Sequence, residues 1–258
     1  MHRVMIGSVG RLLRFLFPVL CLMILLMQCM RIGKDLREYH QAEEEYEDWA
    51  DHTKEERDGD SLGSSIDFER LQKRNPEIVA WIHIPDTTID YPVVQGSDNT
   101  YYLNHTAAGA ENHSGAIFLD AGCDTAFTGD HYIIYGHNMR TKKMFGCLKD
   151  LYDPIYNKQA SFLLHPDIVI DIPGEEIIYH VFSVRRINLS TQQGIYALNF
   201  PDARGREEYV EEARRQSLLR EEEPFYPGSS ILTLSTCSSS GEEWRLVVQA
   251  YERKRTTD

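Results

Sequence analysis

The segment ILTLSTC, Ile231–Cys237, predicts a β-strand that ends in a cysteine. Its aliphatic and β-branched residues favour a strand, and the following Ser238–Gly241 (SSSG) predicts a loop. A cysteine at a strand end beside a polar loop is accessible to a substrate. A lone cysteine in a β-domain is more often a small buried hydrophobe. From this segment alone, Cys237 can therefore be read either as a nucleophile or as a packing residue.

The next predicted strand, Trp244–Tyr251, begins with an arginine that could serve Cys237. If the two strands pair through the intervening loop, Arg245 lies beside Cys237. Arginine is always charged and carries several hydrogen-bond donors, which suits the binding of a carbonyl or an oxyanion. Taken alone, Arg245 could also be an ordinary surface residue.

Upstream, a histidine follows another predicted strand, His131–Tyr135. Gly136 separates this strand from His137, and we expect the glycine to let the backbone bend and to leave room for a ligand. A histidine near a cysteine can move protons during catalysis, so His137 is the candidate partner of Cys237.

The remaining cysteines and histidines predict neither a metal site nor a cofactor. The chain has five cysteines but no CxxC pair, and its ten histidines include no HExxH motif. Cys147 lies in the predicted helix Lys142–Leu151 and should be a packing residue, whereas Cys123 lies in a polar loop. A disulfide between these two cysteines is supported only by an extracytoplasmic location.

Short predicted strands dominate the middle of the chain, which favours a β-barrel or β-sandwich over a βαβ sheet. Asp67 should cap a short helix, and Asp202–Leu219 is the long helical segment before the last two strands. The other predicted strands are Ile78–Ile84, Thr88–Val94, Gly115–Leu119, and a hairpin of Ile168–Ile172 and Glu176–Ile187 around Pro173-Gly174.

The N-terminus predicts a membrane anchor. An apolar run, Phe15 to about Met30, follows Arg3, Arg11 and Arg14, and its length is close to that of a spanning helix. A signal peptide has a similar pattern, but the run lacks the small residues of a cleavage site. Basic residues before the run would keep the N-terminus in the cytoplasm.

These features predict four regions: a short cytoplasmic N-terminus (1–14), a transmembrane signal anchor (15–31), an acidic helix and linker (32–65) and a catalytic domain (66–258). A helix in the third region should pack one stripe of residues on the domain: Ile32, Leu36, Tyr39, Tyr46 and Trp49. The net charge of −13 argues against a nucleic-acid partner, because binding phosphates requires clustered Lys and Arg.

Taken together, the motifs resemble those of one enzyme family, the sortases. The resemblance rests on Thr233–Cys237 (TLSTC) followed by Arg245, with Tyr135–Met139 (YGHNM) upstream. It extends over about residues 66–253. Features similar to class B are TLSTC itself, Trp81-Ile82, Ile89–Gly96, Tyr102–Asn104, Gly115–Asp120 and the long helix before the last two strands.

The resemblance implies a mostly β protein: a closed eight-stranded sortase-type β-barrel with N-terminal helices. It also implies an enzyme anchored in the cell membrane by a single pass, with its catalytic domain outside. Its partners would be surface proteins carrying a C-terminal sorting signal, NPxTx-like for class B, and an amine of the peptidoglycan precursor or cross-bridge. It requires no cofactor.

By the same similarity, Cys237 attacks the Thr carbonyl of the sorting motif and forms a thioacyl-enzyme. His137 acts as acid and base, and Arg245 holds the substrate and stabilises the oxyanion. The substrate groove would be lined by Leu103, Thr191, Ile195, Tyr196 and Ser235.

Three other functions remain open from the residues. A hydrolytic cysteine peptidase would use the same cysteine and histidine but transfer the acyl group to water. A non-catalytic extracellular β-domain would bind a wall component without using a thiol. A thiol redox sensor would require a resolving cysteine, and none stands close to Cys237 in the sequence.

Overall fold

The computed structural model describes residues 2–53, 66–151, 167–219, 225–226, 228–237 and 243–257. The chain divides into two compact units, Met1–Gln41 and Ala42–Asp258. The boundary falls within one long helix, α1 (His2–Thr53).

The first unit contains the apolar part of α1. Among the described residues, one helix is long and apolar enough to cross a membrane, judged by length and composition. An 18-residue window within Leu16–Trp49 has a mean hydropathy of 2.0. The large apolar side chains between Leu16 and Met30 are exposed. Exposure of so many apolar side chains is unfavourable in water and suits a lipid environment.

The described part of the second unit forms a closed eight-stranded barrel, which confirms the predicted fold class. The strand order around the barrel is β1-β2-β3-β4-β7-β8-β6-β5. The β2–β3 and β4–β7 pairs are parallel, and the other neighbouring strands pair antiparallel. The strands are β1 (Ile78–His83), β2 (Asp90–Val94), β3 (Ile117–Leu119), β4 (His131–His137), β5 (Asp167–Ile172), β6 (Glu175–Asn188), β7 (Ile231–Cys237) and β8 (Trp244–Thr257).

Two helices of the second unit begin at an aspartate cap, of which Asp67 was predicted. Asp67 accepts a hydrogen bond from the backbone N–H of Arg70 at the start of α2 (Phe68–Arg74). Asp202 does the same for Gly205 at the start of α3 (Ala203–Arg215). Each carboxylate satisfies an N–H group that has no partner within its helix.

The last turns of α1 pack in the second unit. Trp49 is fully buried, and the guanidinium of Arg74 lies 3.7 Å from the centre of its ring. The Tyr46 hydroxyl donates a hydrogen bond to the Gly115 carbonyl. Tyr46 and Trp49 therefore pack as the predicted stripe requires, whereas Ile32, Leu36 and Tyr39 are exposed.

The prediction of an α-helix over Lys142–Leu151 was wrong. Only Gly146–Leu151 is helical, as a 3₁₀ helix. Lys142 and Met144 have φ angles of 65° and 51°, which are incompatible with a right-handed helix and turn the chain instead.

Candidate active site

Three adjacent strands, β4, β7 and β8, bring the predicted catalytic residues into one row. His137 is the register partner of Cys237 across the parallel β4–β7 pair. In the antiparallel β7–β8 pair, Ser235 lies opposite Val247. Continuing that register by two residues sets Arg245 opposite Cys237. Because neighbouring strands lie about 4.8 Å apart, the three backbones are close together.

The hydroxyl of Thr236 holds this end of the β7–β8 pair together. It accepts a hydrogen bond from the Leu246 N–H and donates one to the Leu246 carbonyl, at 3.0 and 3.3 Å. The backbone of Cys237 is described as the last residue of β7, whereas its side chain and residues 238–242 lie outside the described part.

His137 is buried, with an exposed fraction of 7%. Neither ring nitrogen has a hydrogen-bond partner among the described residues. Burial lowers the pKa of His137 from 6.5, and a nearby charge on His113 lowers it further. The imidazole is therefore neutral over most of the physiological range and can accept a proton.

We expected Gly136 to let the backbone bend before His137. In the structure, close packing and not a bend requires glycine at this position. The strand β4 continues straight through it to His137. A Cβ at this position would lie 2.5 Å from Ile117 Cδ1 and 2.7 Å from Phe145 Cδ2. Only glycine lets these two side chains approach the strand beside the histidine.

Arg245 is half-buried at the start of β8. Its Nη1 donates a hydrogen bond of 3.0 Å to the Trp244 carbonyl, and its register partner on β6 is Ile187. The backbone of Arg245 therefore lies between Cys237 of β7 on one side and Ile187 of β6 on the other.

The loop after β6 brings two of the predicted groove residues together. Tyr196, at the end of the 3₁₀ helix Gln193–Tyr196, shares a 2.7 Å hydrogen bond with the Ser235 hydroxyl. Its ring also lies 5.9 Å from that of Tyr135. Tyr196 therefore lies over the strand that ends in Cys237.

The other predicted groove residues have different settings. Ile195 is 5% exposed and packs with Ile187 and Val247. Thr191 is exposed in the same loop. Leu103 belongs to a separate 3₁₀ helix, Tyr101–Leu103, and is half-buried against the barrel core.

His131 was not selected as a site residue from sequence, yet it connects the loop to the sheet. It is 2% exposed. Its Nδ1 lies 2.7 Å from the Ala197 carbonyl, and its Nε2 lies 2.8 Å from the Thr233 hydroxyl. Since a carbonyl can only accept, Nδ1 carries the proton and Nε2 accepts from Thr233. His131 and His137 are an even number of residues apart on β4, so they face the same side of the sheet. This spacing is the sequence signal that could have identified His131.

Cys123 and Cys147 are free thiols with settings that suppress reactivity. Burial raises the pKa of Cys123 to about 12 and also raises the pKa of Cys147. A thiol is nucleophilic as its thiolate, so neither is suited to catalysis at neutral pH. Within the described residues, no three His, Cys, Asp or Glu side chains form a metal-binding group.

Comparisons with known proteins show the family to which the chain belongs. The family model described as "Sortase domain" matches residues 82–253. Sortase B of Listeria monocytogenes serovar 1/2a is 32% identical over 182 residues, which cover 69% of this chain and 71% of that protein. Sortase B of Staphylococcus aureus is 30% identical over 185 residues, covering 71% and 73%.

Solved structures show the same similarity. Sortase B from Bacillus anthracis in complex with AAEK1 has a TM-score of 0.71 and 29% identity, over 85% of this chain and 99% of that one. A Staphylococcus aureus sortase B–substrate complex has a TM-score of 0.66 and 28% identity, over 72% and 84%. The chain therefore belongs to the sortase family of cysteine transpeptidases, which act on surface proteins, and within that family to class B.

Proposed function

We propose that this sortase cleaves an NPxTx-like C-terminal sorting motif after Thr and transfers the protein to an amine of the cell wall. Cys237 is the nucleophile, His137 the proton carrier and Arg245 the oxyanion ligand. The observation that carries the proposal is the register of His137 with Cys237 across β4 and β7.

These roles give an acyl transfer, in which one acyl group passes from the sorting motif to the Cys237 sulfur. The Cys237 sulfur bonds to the Thr carbonyl carbon as His137 takes the thiol proton. The tetrahedral oxyanion is stabilised by the Arg245 guanidinium. When the C–N bond breaks, His137 returns the proton to the leaving amine, and a thioacyl-enzyme remains.

The second half runs in the opposite direction with a new amine. The acceptor nitrogen attacks the thioester and gives a proton to neutral His137. The C–S bond then breaks, and the proton returns to the thiolate. The lowered pKa of His137 supports this step, because a neutral imidazole is ready to accept the proton.

Substrate binding is assigned to Leu103, Thr191, Ile195, Tyr196 and Ser235. The Tyr196–Ser235 hydrogen bond supports a groove between the loop and β7. Ile195 supports the groove from beneath, since it is buried against Ile187 and Val247. The exposed position of Thr191 suits direct contact with a peptide.

For the whole chain, we propose that residues 15–31 form a single-pass anchor, with 1–14 in the cytoplasm and 66–258 outside. Residues 32–65 connect the two. The exposed apolar side chains between Leu16 and Met30 support the anchor. The acceptor amine is proposed to belong to the peptidoglycan precursor or cross-bridge.

The test uses the full-length protein in detergent, with quenched NPxTx peptides and an added amine. We expect cleavage after Thr, with the amine joined to the new C-terminus, and loss of both in Cys237→Ala. Release of the free acid alone at saturating amine would favour a hydrolytic peptidase. A folded wild-type protein that binds the peptide without cleaving it, and binds it equally well as Cys237→Ala, would favour a binding domain.

A further inference from the structure

A pocket of about 520 Å³ lies beside the catalytic row, on the β6 side of Arg245. Its lining residues are Arg185, Arg186, Gln216, Leu218 and Trp244. Trp244 is the chain neighbour of Arg245, and Arg185 lies two residues from Ile187, the register partner of Arg245. None of these lining residues belongs to the set assigned to the sorting-motif groove, but Arg185 and the groove residue Ser235 are both register partners of Val247.

Arg185 is a buried cation in this pocket, with an exposed fraction of 6%. Its Nε donates to Gln249 Oε1 at 3.0 Å, and its Nη1 donates to Gln216 Oε1 at 2.7 Å. Both acceptors are neutral amides. No carboxylate of the described residues forms an ion pair with Arg185, and its Nη2 makes no hydrogen bond within that same set.

A buried guanidinium without a counter-ion is unfavourable unless an anion joins it. Burial lowers the pKa of Arg185, and the nearby Tyr209 and Glu212 offset part of this lowering. The Glu212 carboxylate is bonded to Arg215 and Gln216. Among the described residues, the positive charge of Arg185 therefore has no carboxylate in an ion pair with it.

The rim of the pocket adds a second cation and an aromatic surface. Arg186 is exposed, and its guanidinium carbon lies 5.4 Å from the centre of the Trp244 ring. Trp244 and Leu218 are each 51% exposed. Both arginines line the pocket, although consecutive strand residues point to opposite faces of β6. Each guanidinium can form paired hydrogen bonds with a planar carboxylate on a peptide.

The charges nearby favour a monoanion over a dianionic phosphate. Glu212 lies near Arg185, and Glu243, the chain neighbour of Trp244, lies within 3.4 Å of Asn188 Nδ2. A second negative charge on the ligand would be repelled by both carboxylates.

The distance to the nucleophile also fits a peptide. From Cys237 to Arg185 the backbone path crosses two strand spacings of about 4.8 Å and two residues of about 3.3 Å each, or roughly 12 Å directly. An extended peptide of about three or four residues spans this length. A peptide of that length held at Arg185 would therefore reach the backbone position of Cys237.

We propose that Arg185, Arg186 and Trp244 form a subsite for a carboxylate of the amine-bearing peptide that accepts the acyl group. This inference rests on the proposed transpeptidation and names the chemistry of the acceptor. Gln216 Oε1 also accepts a 3.0 Å hydrogen bond from Gln192 of the loop, so one lining residue of the pocket is joined to the loop that covers Ser235.

The experiment compares acceptors within one enzyme. Full-length protein in detergent is given a sorting peptide and a set of short oligopeptides with a free amino group. Each oligopeptide is supplied once with a C-terminal carboxylate and once as the carboxamide. The ratio of the two KM values for the acceptor is measured, so that any change in acyl-enzyme formation cancels.

We expect wild type to favour the carboxylate form by about tenfold in KM, the size of one charge-assisted hydrogen bond at a part-exposed site. Arg186→Gln should reduce this preference toward unity. Arg185→Lys, which keeps the charge, should retain more of it than Arg185→Gln. Arg204→Gln is the matched control, because Arg204 is an exposed arginine of α3 paired with Glu208 and outside the pocket.

Equal KM values for both forms in wild type would overturn the subsite. A preference that persists in both Arg185→Gln and Arg186→Gln, with melting temperatures near that of wild type, would also overturn it. These outcomes differ from failure of the proposed function, in which no acceptor of either form would be joined to the sorting peptide.

Discussion

His137 and Cys237 are direct register partners across the parallel pair of β4 and β7, although the chain between them includes β5, β6 and α3. A parallel pair holds two strand ends side by side at the same edge of the sheet. The proposed nucleophile and proton carrier are therefore positioned by backbone hydrogen bonding and not by a flexible loop, which gives precise geometry.

Peptide cleavage should require the guanidinium group of Arg245 and not only its positive charge. We expect Arg245→Ala to reduce kcat/KM for peptide cleavage by about 10²–10³, as for loss of an oxyanion donor. Arg245→Lys should recover only part of that loss, because a single ammonium cannot form the paired hydrogen bonds of a guanidinium. Arg253→Ala, at an arginine that binds Asp167, is the control. Full activity in Arg245→Ala would contradict the assigned role.

The pH dependence of acyl transfer should reflect the buried setting of His137. Burial lowers its pKa from 6.5, so the neutral form persists below that pH and is lost only as the pH falls through the lowered pKa. We expect the acid limb of kcat/KM for the acceptor to lie below pH 6.5. The measurement is the rate of amine incorporation across pH.

His113 provides a check on that assignment. A positive charge on His113 lowers the pKa of His137, so its removal should raise that pKa and move the acid limb upward. For His113→Gln we expect a small upward shift of the limb, since the charge at His113 is exposed and screened. His105→Gln should leave the limb in place. A downward shift in His113→Gln would disagree with this electrostatic coupling.

Stability should fall in acid because of His131. Burial lowers the pKa of His131 from 6.5 to about 4. Below pH 6.5 His131 therefore binds a proton in the unfolded chain, whereas in the folded protein it binds one only near pH 4. The free energy of unfolding should drop by roughly 3 kcal/mol between these values from this group. Above pH 6.5 the group contributes no slope.

Urea titrations at pH 7, 6, 5 and 4 measure the effect. His131→Gln should be less stable than wild type at pH 7, because the bonds to Ala197 and Thr233 are altered. The slope of its unfolding free energy against pH, between pH 6.5 and 4, should be smaller by the equivalent of about one proton. An unchanged slope would show that His131 is not the titrating group.

Gly136→Ala should destabilise the barrel beside the proposed proton carrier. The added methyl would meet Ile117 and Phe145, and overpacking of this kind costs about 1–3 kcal/mol. Chemical denaturation measures the loss. Gly194→Ala is the matched control, because no atom lies within 4 Å of its added Cβ. Equal stability of the two variants would show that the close packing at Gly136 is not required.

The sequence by itself determined the local elements and the identity of the reactive groups. Aliphatic and β-branched runs predicted the strands, and the cap at Asp67 predicted one helix start, because these signals depend on neighbouring residues alone. The TLSTC and YGH motifs predicted the family. The segment Lys142–Leu151 was misread because its composition suits a helix, whereas the left-handed backbone at two positions does not.

Only the tertiary structure decided how those elements meet. The alignment of His137 with Cys237, the bond from Tyr196 to Ser235 and the position of His131 between loop and sheet all join residues far apart in the chain. The same is true of Arg185, which sequence analysis did not select. Its guanidinium is buried against amides of β8 and the end of α3, and this burial depends on how β6, β8 and α3 pack together. Such contacts arise from long-range packing, which a local pattern does not encode.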